Sequence, residues 1–394
     1  MVRDLLRAVV GALALIFTVL LTKNAAGYAW MVRHEYAGCS ACHVDPDGAG
    51  LLTEYGRAQG ETLLRTHYGS GEVEEPGKVK DFLWGLFATP DWLLLGGSLR
   101  PAVLTVHADG APASTSLILM EGDLRAGIRA GGFRASVSAG AISTQGSLAS
   151  IAGPFVSREH WAGYAWDDDA FMVRAGRMNL PFGIRSIEHP FWVRATTRTD
   201  INDEQQHGVS FDYTGSLWRG TLMAILGNYQ ITPDAFRERG YAGLFEMAPT
   251  PRLAVGISSL VTHAEKDIDL GVPNTRQAHG LYVRASPFKA LVVLGEGDVV
   301  ANTTSPTDAA SSLGFVSMLQ ADVEPIQGLH LIATGESLSP GGVAPKSSAG
   351  AWAAVHWFFL PHADVRFDFM YRSMAEGVVA IPVTSVLTQL HVYL

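Results

Sequence analysis

Residues 35–50, EYAGCSACHVDPDGAG, hold both cysteines of this 394-residue chain, Cys39 and Cys42, with His43 directly after the second. Two thiols with two residues between them match the separation of the two vinyl groups of a porphyrin. A histidine next to the second thiol then places its imidazole under the iron. Cys-x-x-Cys-His therefore points to one covalent c-type haem, with Cys39 and Cys42 as thioether donors and His43 as proximal iron ligand. The same two thiols could instead close a disulfide in an oxidising compartment. Zinc fits less well, because a structural site takes four ligands and the chain has no second cysteine pair. A thioredoxin-like use calls for a βαβ context, whereas these flanks have the texture of a loop.

His67, His34 and Met31 are the candidates for the sixth iron position. Leu51–Leu64 predicts a helix that would fold His67 back over the haem, so His67 is the expected distal ligand. The stretch GCSACHVDPDGAGLLTEYGRAQGETLL resembles a family of bacterial envelope cytochromes. In that family a CSxCH core is followed by a proline and then by a YGR or FGR element opening a helix. Here these are Pro46 and Tyr55-Gly56-Arg57.

The elements around this motif divide the chain in three. Arg3 and Arg7 lead into the uncharged run Ala8–Leu21. That run is too short to cross about 30 Å of hydrocarbon but suits a secretory signal, with small residues behind it for cleavage; an uncleaved anchor is the alternative. Residues 1–29 are thus expected to be an export signal. Residues 30–80 are expected to be a small α-helical monohaem segment and its acidic linker, and 81–394 a barrel. The net charge of −9, with no basic cluster, excludes a nucleic-acid partner.

From residue 92 onward the pattern has period two. In DLRAGIRA, Asp123, Arg125, Gly127 and Arg129 share one face, and Leu124, Ala126, Ile128 and Ala130 the other. In ADVRFDFMYR, Asp364, Arg366, Asp368 and Arg372 oppose Val365, Phe367, Phe369 and Tyr371. A wet lumen and a lipid-facing exterior account for such faces, and spanning sheets must close because lipid cannot satisfy an open edge. Sixteen strands are expected, starting near 92, 117, 133, 157, 171, 207, 218, 239, 253, 276, 291, 312, 329, 347, 363 and 384. Joins after even-numbered strands are short. Those after odd-numbered strands, from 107–116 to 373–383, are longer. This parity predicts a closed antiparallel transmembrane β-barrel in the bacterial outer membrane, with short turns and the haem segment in the periplasm. Trp161, Trp166, Trp218, Trp352, Trp357 and Tyr393 are candidates for its aromatic girdles. The last strand, SVLTQLHVYL, resembles the C-terminal signal of outer-membrane proteins, with Leu394 where phenylalanine is usual.

The longest join, 179–206, is the third long loop. In sixteen-stranded porins, which this pattern resembles, that loop commonly folds into the lumen. GRMNLPFGIR resembles a stretch of the porin family that includes phosphate-selective members. The loop contains no lysine, so phosphate preference is not expected. Its charges would form two walls of a pore constriction, Arg185, Arg194 and Arg198 against Glu188, Asp200, Asp203 and Glu204. An exposed external loop with solvated charges is the alternative.

Asp167–Asp169 suit a turn, and His160 and His207 suit single polar positions in the lumen. No catalytic constellation stands out, so an enzyme is not expected. The leading expectation is a haem c-binding, porin-like outer-membrane protein that exchanges electrons with periplasmic cytochromes, its barrel a possible sheath for a partner cytochrome. The alternative is a passive diffusion porin in which the haem, or a Cys39–Cys42 disulfide, is an accessory element. Expected partners are outer-membrane lipid, periplasmic electron-transfer proteins and, as a candidate, further copies of the chain.

Overall fold

The computed structural model describes residues 28–36, 38–68, 82–141, 155–188, 190–304, 311–341, 347–376 and 379–394. All but the last two residues of the expected export signal, and the whole of the acidic linker, lie outside the described residues.

Alternating side chains build one sheet. Its strands are β1 (Leu93–Ala108), β2 (Ser114–Ala130), β3 (Phe133–Ala141), β4 (Phe155–Val156), β5 (His160–Trp166), β6 (Phe171–Met178), β7 (Gln206–Thr214), β8 (Trp218–Gly227) and β9 (Arg239–Thr250). They continue as β10 (Leu253–Ala264), β11 (Asn274–Phe288), β12 (Leu291–Thr304), β13 (Ser311–Ile326), β14 (Leu329–Ser339), β15 (Ser348–Leu360), β16 (Ala363–Glu376) and β17 (Val379–Tyr393). All pairings are antiparallel. β4 and β5 both pair with β3, so the two share one position and the barrel has sixteen. β1 pairs with β17, from Ser98 opposite Tyr393 to Ala108 opposite Val383, and this seam closes the sheet. Closure leaves no unpaired edge, which a hydrocarbon surrounding requires.

The two faces differ as the sequence predicts. Asp364, Arg366 and Asp368 are buried inside, while Phe367, Phe369 and Tyr371 are exposed outside. The exterior is an apolar belt of the kind a bilayer covers. Trp166, Trp218 and Trp357 lie on it at 41%, 42% and 38% exposure, close to the short turns. Trp161, Trp352 and Tyr393 correct the expected girdle: they are only 4%, 5% and 8% exposed and point inward. Arg174 lies 5.2 Å over the Trp161 ring, and the Trp352 indole donates to Glu336 at 2.7 Å, so both rings serve lumen charges.

Short joins gather at one rim, at 131–132, 167–170, 215–217, 251–252, 289–290, 327–328 and 361–362. The expected turn at Asp167–Asp169 has three successive left-handed residues, with φ of 55°, 55° and 61°. The opposite rim carries the longer joins, with one exception. β16 runs on to Glu376 and β17 starts at Val379, so the expected loop 373–383 is largely strand. Pro382 lies within this strand, β17. It pairs with Ser373 of β16, but the β1 ladder ends at Val383, so no strand asks for an N–H on its other side.

The main correction concerns residues 28–68. The segment does not hang below the barrel in the periplasm; it is packed inside the lumen, toward the short-turn rim. Thr66 donates its N–H to the Phe358 carbonyl at 2.8 Å, and Gln327 reaches the Thr62 carbonyl at 2.9 Å, both beside short turns. Deeper in, Asp45 meets Arg174 at 3.0 Å and Arg33 meets Asp322 at 2.8 Å. A sixteen-stranded barrel encloses a lumen wide enough for such a plug. The segment's charges are matched by charges on the inner wall, so seating leaves few of them unpaired.

Candidate functional site

The Cys-x-x-Cys-His stretch forms one tight turn, with the Cys42 and His43 N–H groups both directed at the Cys39 carbonyl at 3.2 and 3.1 Å. His43 then pairs with Leu52 across a small hairpin, closed by Val44 N–H to the Leu51 carbonyl at 2.9 Å. Asp45 accepts from the Asp47 N–H at 3.0 Å, and Gly48, Ala49 and Gly50 take left-handed conformations to turn the chain back. Thr53 caps the next helix, α1 (Glu54–Gln59), accepting the Gly56 N–H at 3.0 Å. A wider π turn, Gly60–Leu64, continues it.

The YGR element has a physical role at each residue. The Tyr55 hydroxyl meets that of Tyr36 at 2.6 Å. Gly56 lies so close to the cysteine turn that a Cβ there would be 2.3 Å from the Cys42 carbonyl oxygen. Arg57 crosses to the barrel wall and donates to the Leu95 carbonyl. The helix thereby fixes the cysteine turn against β1.

Cys39, Cys42 and His43 line a cavity between the segment, the inner wall and the in-folded loop. Both cysteines are free and buried. Burial, with Cys39 beside it, pushes the Cys42 thiol up to about 12, and Cys39 Sγ accepts from Arg219 at 3.3 Å. Burial lowers His43 to about 4, which keeps the imidazole neutral, the form that binds metal. Its Nδ1 is buried and meets no protein partner. Apolar walls, two thiols and a neutral imidazole together fit a large planar cofactor bearing a metal. Arginines such as Arg100, Arg125, Arg158 and Arg284 share the lining and suit acidic substituents. Among the described residues no three His, Cys, Asp or Glu side chains form a bare metal cluster.

Of the three expected candidates for the sixth position, Met31 lines this cavity and is 2% exposed, whereas His34 and His67 do not line it. His67 does not fold back over the cysteine turn. The hydrogen bonds of Thr66 to Phe358 and Trp357 hold that part of the chain at the short-turn rim, and the His67 Nε2 meets the Thr62 carbonyl at 3.3 Å.

Loop 179–205 folds inward over the segment and carries α2 (Trp192–Thr197). Its charges do not make the two facing walls expected of a constriction, because most of them bind elsewhere. Arg185 faces Asp45 and Asp47 of the segment at 3.6 Å each. Arg194 bonds Glu296, and Arg198 reaches Glu238, Asp267 and Asp269. Glu188 bonds Arg366, which overcomes the effect of burial and holds that carboxyl below its usual value. Asp200 accepts from the Asn202 N–H at 2.9 Å, Asp203 is exposed and Glu204 is half-buried. The loop is fastened to the wall and to the segment, and the lumen is filled.

Two groupings were not visible in the sequence. His160 and His207 share the outward parity of their strands and meet at 3.0 Å, correcting their expected placement in the lumen. Tyr229 N–H donates to His207 Nδ1, so the shared proton lies between the two Nε2 atoms and the contact needs no metal. Within the lumen, Ser98 Oγ meets His391 Nε2 at 3.1 Å, His391 Nδ1 meets Asp364 at 3.1 Å, and Asp364 meets His356 Nε2 at 2.8 Å. These residues come from β1, β17, β16 and β15, and only their shared inward parity could have suggested the grouping.

No protein-family profile matches the sequence, and no curated protein matches it. Solved structures do. OmpT of Vibrio cholerae with its loop L8 deleted, an outer membrane protein, superimposes with a TM-score of 0.59 at 10% identity, covering 76% of this chain and 98% of that one. The anion-selective porin of Comamonas acidovorans gives 0.56 at 11% identity, with 77% and 99% covered. The outer membrane channel DcaP of Acinetobacter baumannii gives 0.55 at 10% identity, with 77% and 99% covered. At these identities the likeness concerns the fold: the chain has a porin-type barrel.

Proposed function

We propose that this chain is an outer-membrane electron carrier, with one covalent haem c held inside the barrel by Cys39, Cys42 and His43. The observation that carries this reading is the position of the cysteine turn, which lies on a cavity within the lumen. A haem bound there supplies reversible one-electron chemistry between ferric and ferrous iron. Cys39 and Cys42 would be joined to its vinyl carbons, and His43 would present its neutral imidazole to the iron. Arginines of the lining would face its propionates while keeping their own carboxylate partners. A site inside the barrel divides the path across about 30 Å of hydrocarbon into two shorter steps. The short-turn rim, taken as periplasmic, is where a soluble electron-transfer protein would dock.

The filled lumen argues against free diffusion as the main role. The test is a reduced-minus-oxidised spectrum of outer membranes from cells expressing the full chain with a cytochrome c maturation system. A c-type α-band present in the wild type and lost in Cys39→Ala/Cys42→Ala supports the reading. A heat-modifiable barrel with no band overturns it and leaves a porin with an accessory thiol pair.

A further inference from the structure

The Ser98–His391–Asp364–His356 chain has no part in holding the cavity group. Ser98 and His391 line the cavity, while Asp364 and His356 are each 1% exposed. Every link is a hydrogen bond of 2.8–3.1 Å between groups that can hand on a proton. The arrangement looks like a nucleophile triad, but Asp364 is shared with a second imidazole, so the chain continues past the carboxylate instead of ending there. Beyond His356, the His330 ring lies 6.0 Å away between centres. His330 bonds Asp322 at 3.0 Å and approaches Glu324 at 3.8 Å; Glu324 is half-buried beside the short turn 327–328. The row thus runs around the inner wall, with His330 directly across from His356 on β14 and β15.

In the rest of the cavity lining, arginines stay protonated, and Glu121 and Glu188 are bound to arginines. Asp47 and Glu159 of the same lining are also titratable, burial raising both, and the variants below separate them from the chain. His43 and His391 are the histidines of that lining among the described residues, and His43 is the one that would hold the iron. Several other groups face the chain. Arg100 stands on β1, Glu121 on β2, His330 on β14, Arg366 on β16 and Tyr393 on β17, while the segment presents Tyr28 and the in-folded loop Glu188.

We infer that Ser98, His391, Asp364 and His356 are a proton-loading site coupled to the redox state of the cavity group. A haem held there would add one negative charge to this buried site on accepting an electron from a one-electron donor. One proton from water would be taken up by the hydrogen-bonded chain as a whole, so the net charge of the cavity would be unchanged. Oxidation returns both. Compensation of this kind is favoured because an uncompensated charge in a low-dielectric site is costly. The inference rests on the haem reading above.

The experiment is a potentiometric titration of the haem α-band at several pH values, on full-length protein in detergent. In the wild type the midpoint potential is expected to fall as pH rises, approaching about 59 mV per pH unit for one proton per electron. In His391→Gln and in Asp364→Asn the slope should be lost while the α-band and heat-modifiability remain. A flat wild-type potential overturns the inference even if neither variant folds, and so does an unchanged slope in folded variants. A wild type with no covalent band removes the haem reading itself, which is a different failure from a flat potential.

Discussion

Individual residues of the segment are held by ion pairs with little access to water, so single substitutions should have large effects. Arg33 bonds Asp322 at 2.8 Å and Glu324 at 3.0 Å and is fully buried. Arg33→Ala leaves Asp322 buried with only His330 for company, and breaking a buried pair from one side costs about 3–5 kcal/mol. The segment should then leave the lumen at lower urea than in the wild type, read as earlier protease cleavage between residues 28 and 68. Gly56→Ala tests the contact behind the cysteine turn. An added methyl collides with the Cys42 carbonyl, and overpacking of this kind costs about 1–3 kcal/mol. Haem stain per barrel should fall in this variant, whereas Ala58→Gly, elsewhere on the same helix, should retain it.

At the scale of elements, the inward loop has its own pH dependence. Burial, with Asp203 and Glu238 nearby, raises Glu204 to about 8. A free loop would release that proton near the ordinary carboxylate value of 4.5. Seating is therefore strongest at low pH, weakens as pH rises from about 4.5 to 8, and is level above that. Hydrogen exchange in residues 192–204, corrected for intrinsic rates, should show the trend, and Glu204→Gln should abolish it. Most elements were legible in the sequence, because each inner face repeats charge or glycine and each outer face repeats Leu, Val or Phe. Expected strand starts such as 133, 171, 218 and 253 coincide with observed ones. β17 was missed by five residues, Val379 against an expected 384.

For the molecule as a whole, the cysteine motif and the barrel were each legible, and their relation was not. Arg33 finds its partner 289 residues away in Asp322, and Asp45 finds Arg174 129 residues away. Local pattern carries no trace of such pairings. The one available hint was that Arg174, Asp212, Arg366 and Asp368 put more charge on the inner wall than a water-filled channel needs. The distal ligand failed for a related reason: a helix aimed at the haem in isolation is instead drawn to the rim by Trp357 and Phe358. With the lumen filled, the wild-type barrel should conduct poorly in planar bilayers. A chain lacking residues 28–68 should conduct as an open porin does, and equal conductance of the two would show that the plug does not block the channel.

The seam between β1 and β17 ends with Leu394 and Gly97 exchanging backbone hydrogen bonds at 2.8 and 3.2 Å, and Leu51 of the segment rests against Gly96 just beside it. Closure at this seam therefore encloses the segment. On the reading proposed above, this would set an order on biogenesis: haem would be attached while the chain is still an open ribbon, and insertion into the membrane would come afterwards. A cell that reverses the two steps would accumulate sealed, colourless barrels with their thiols out of reach of the attachment machinery.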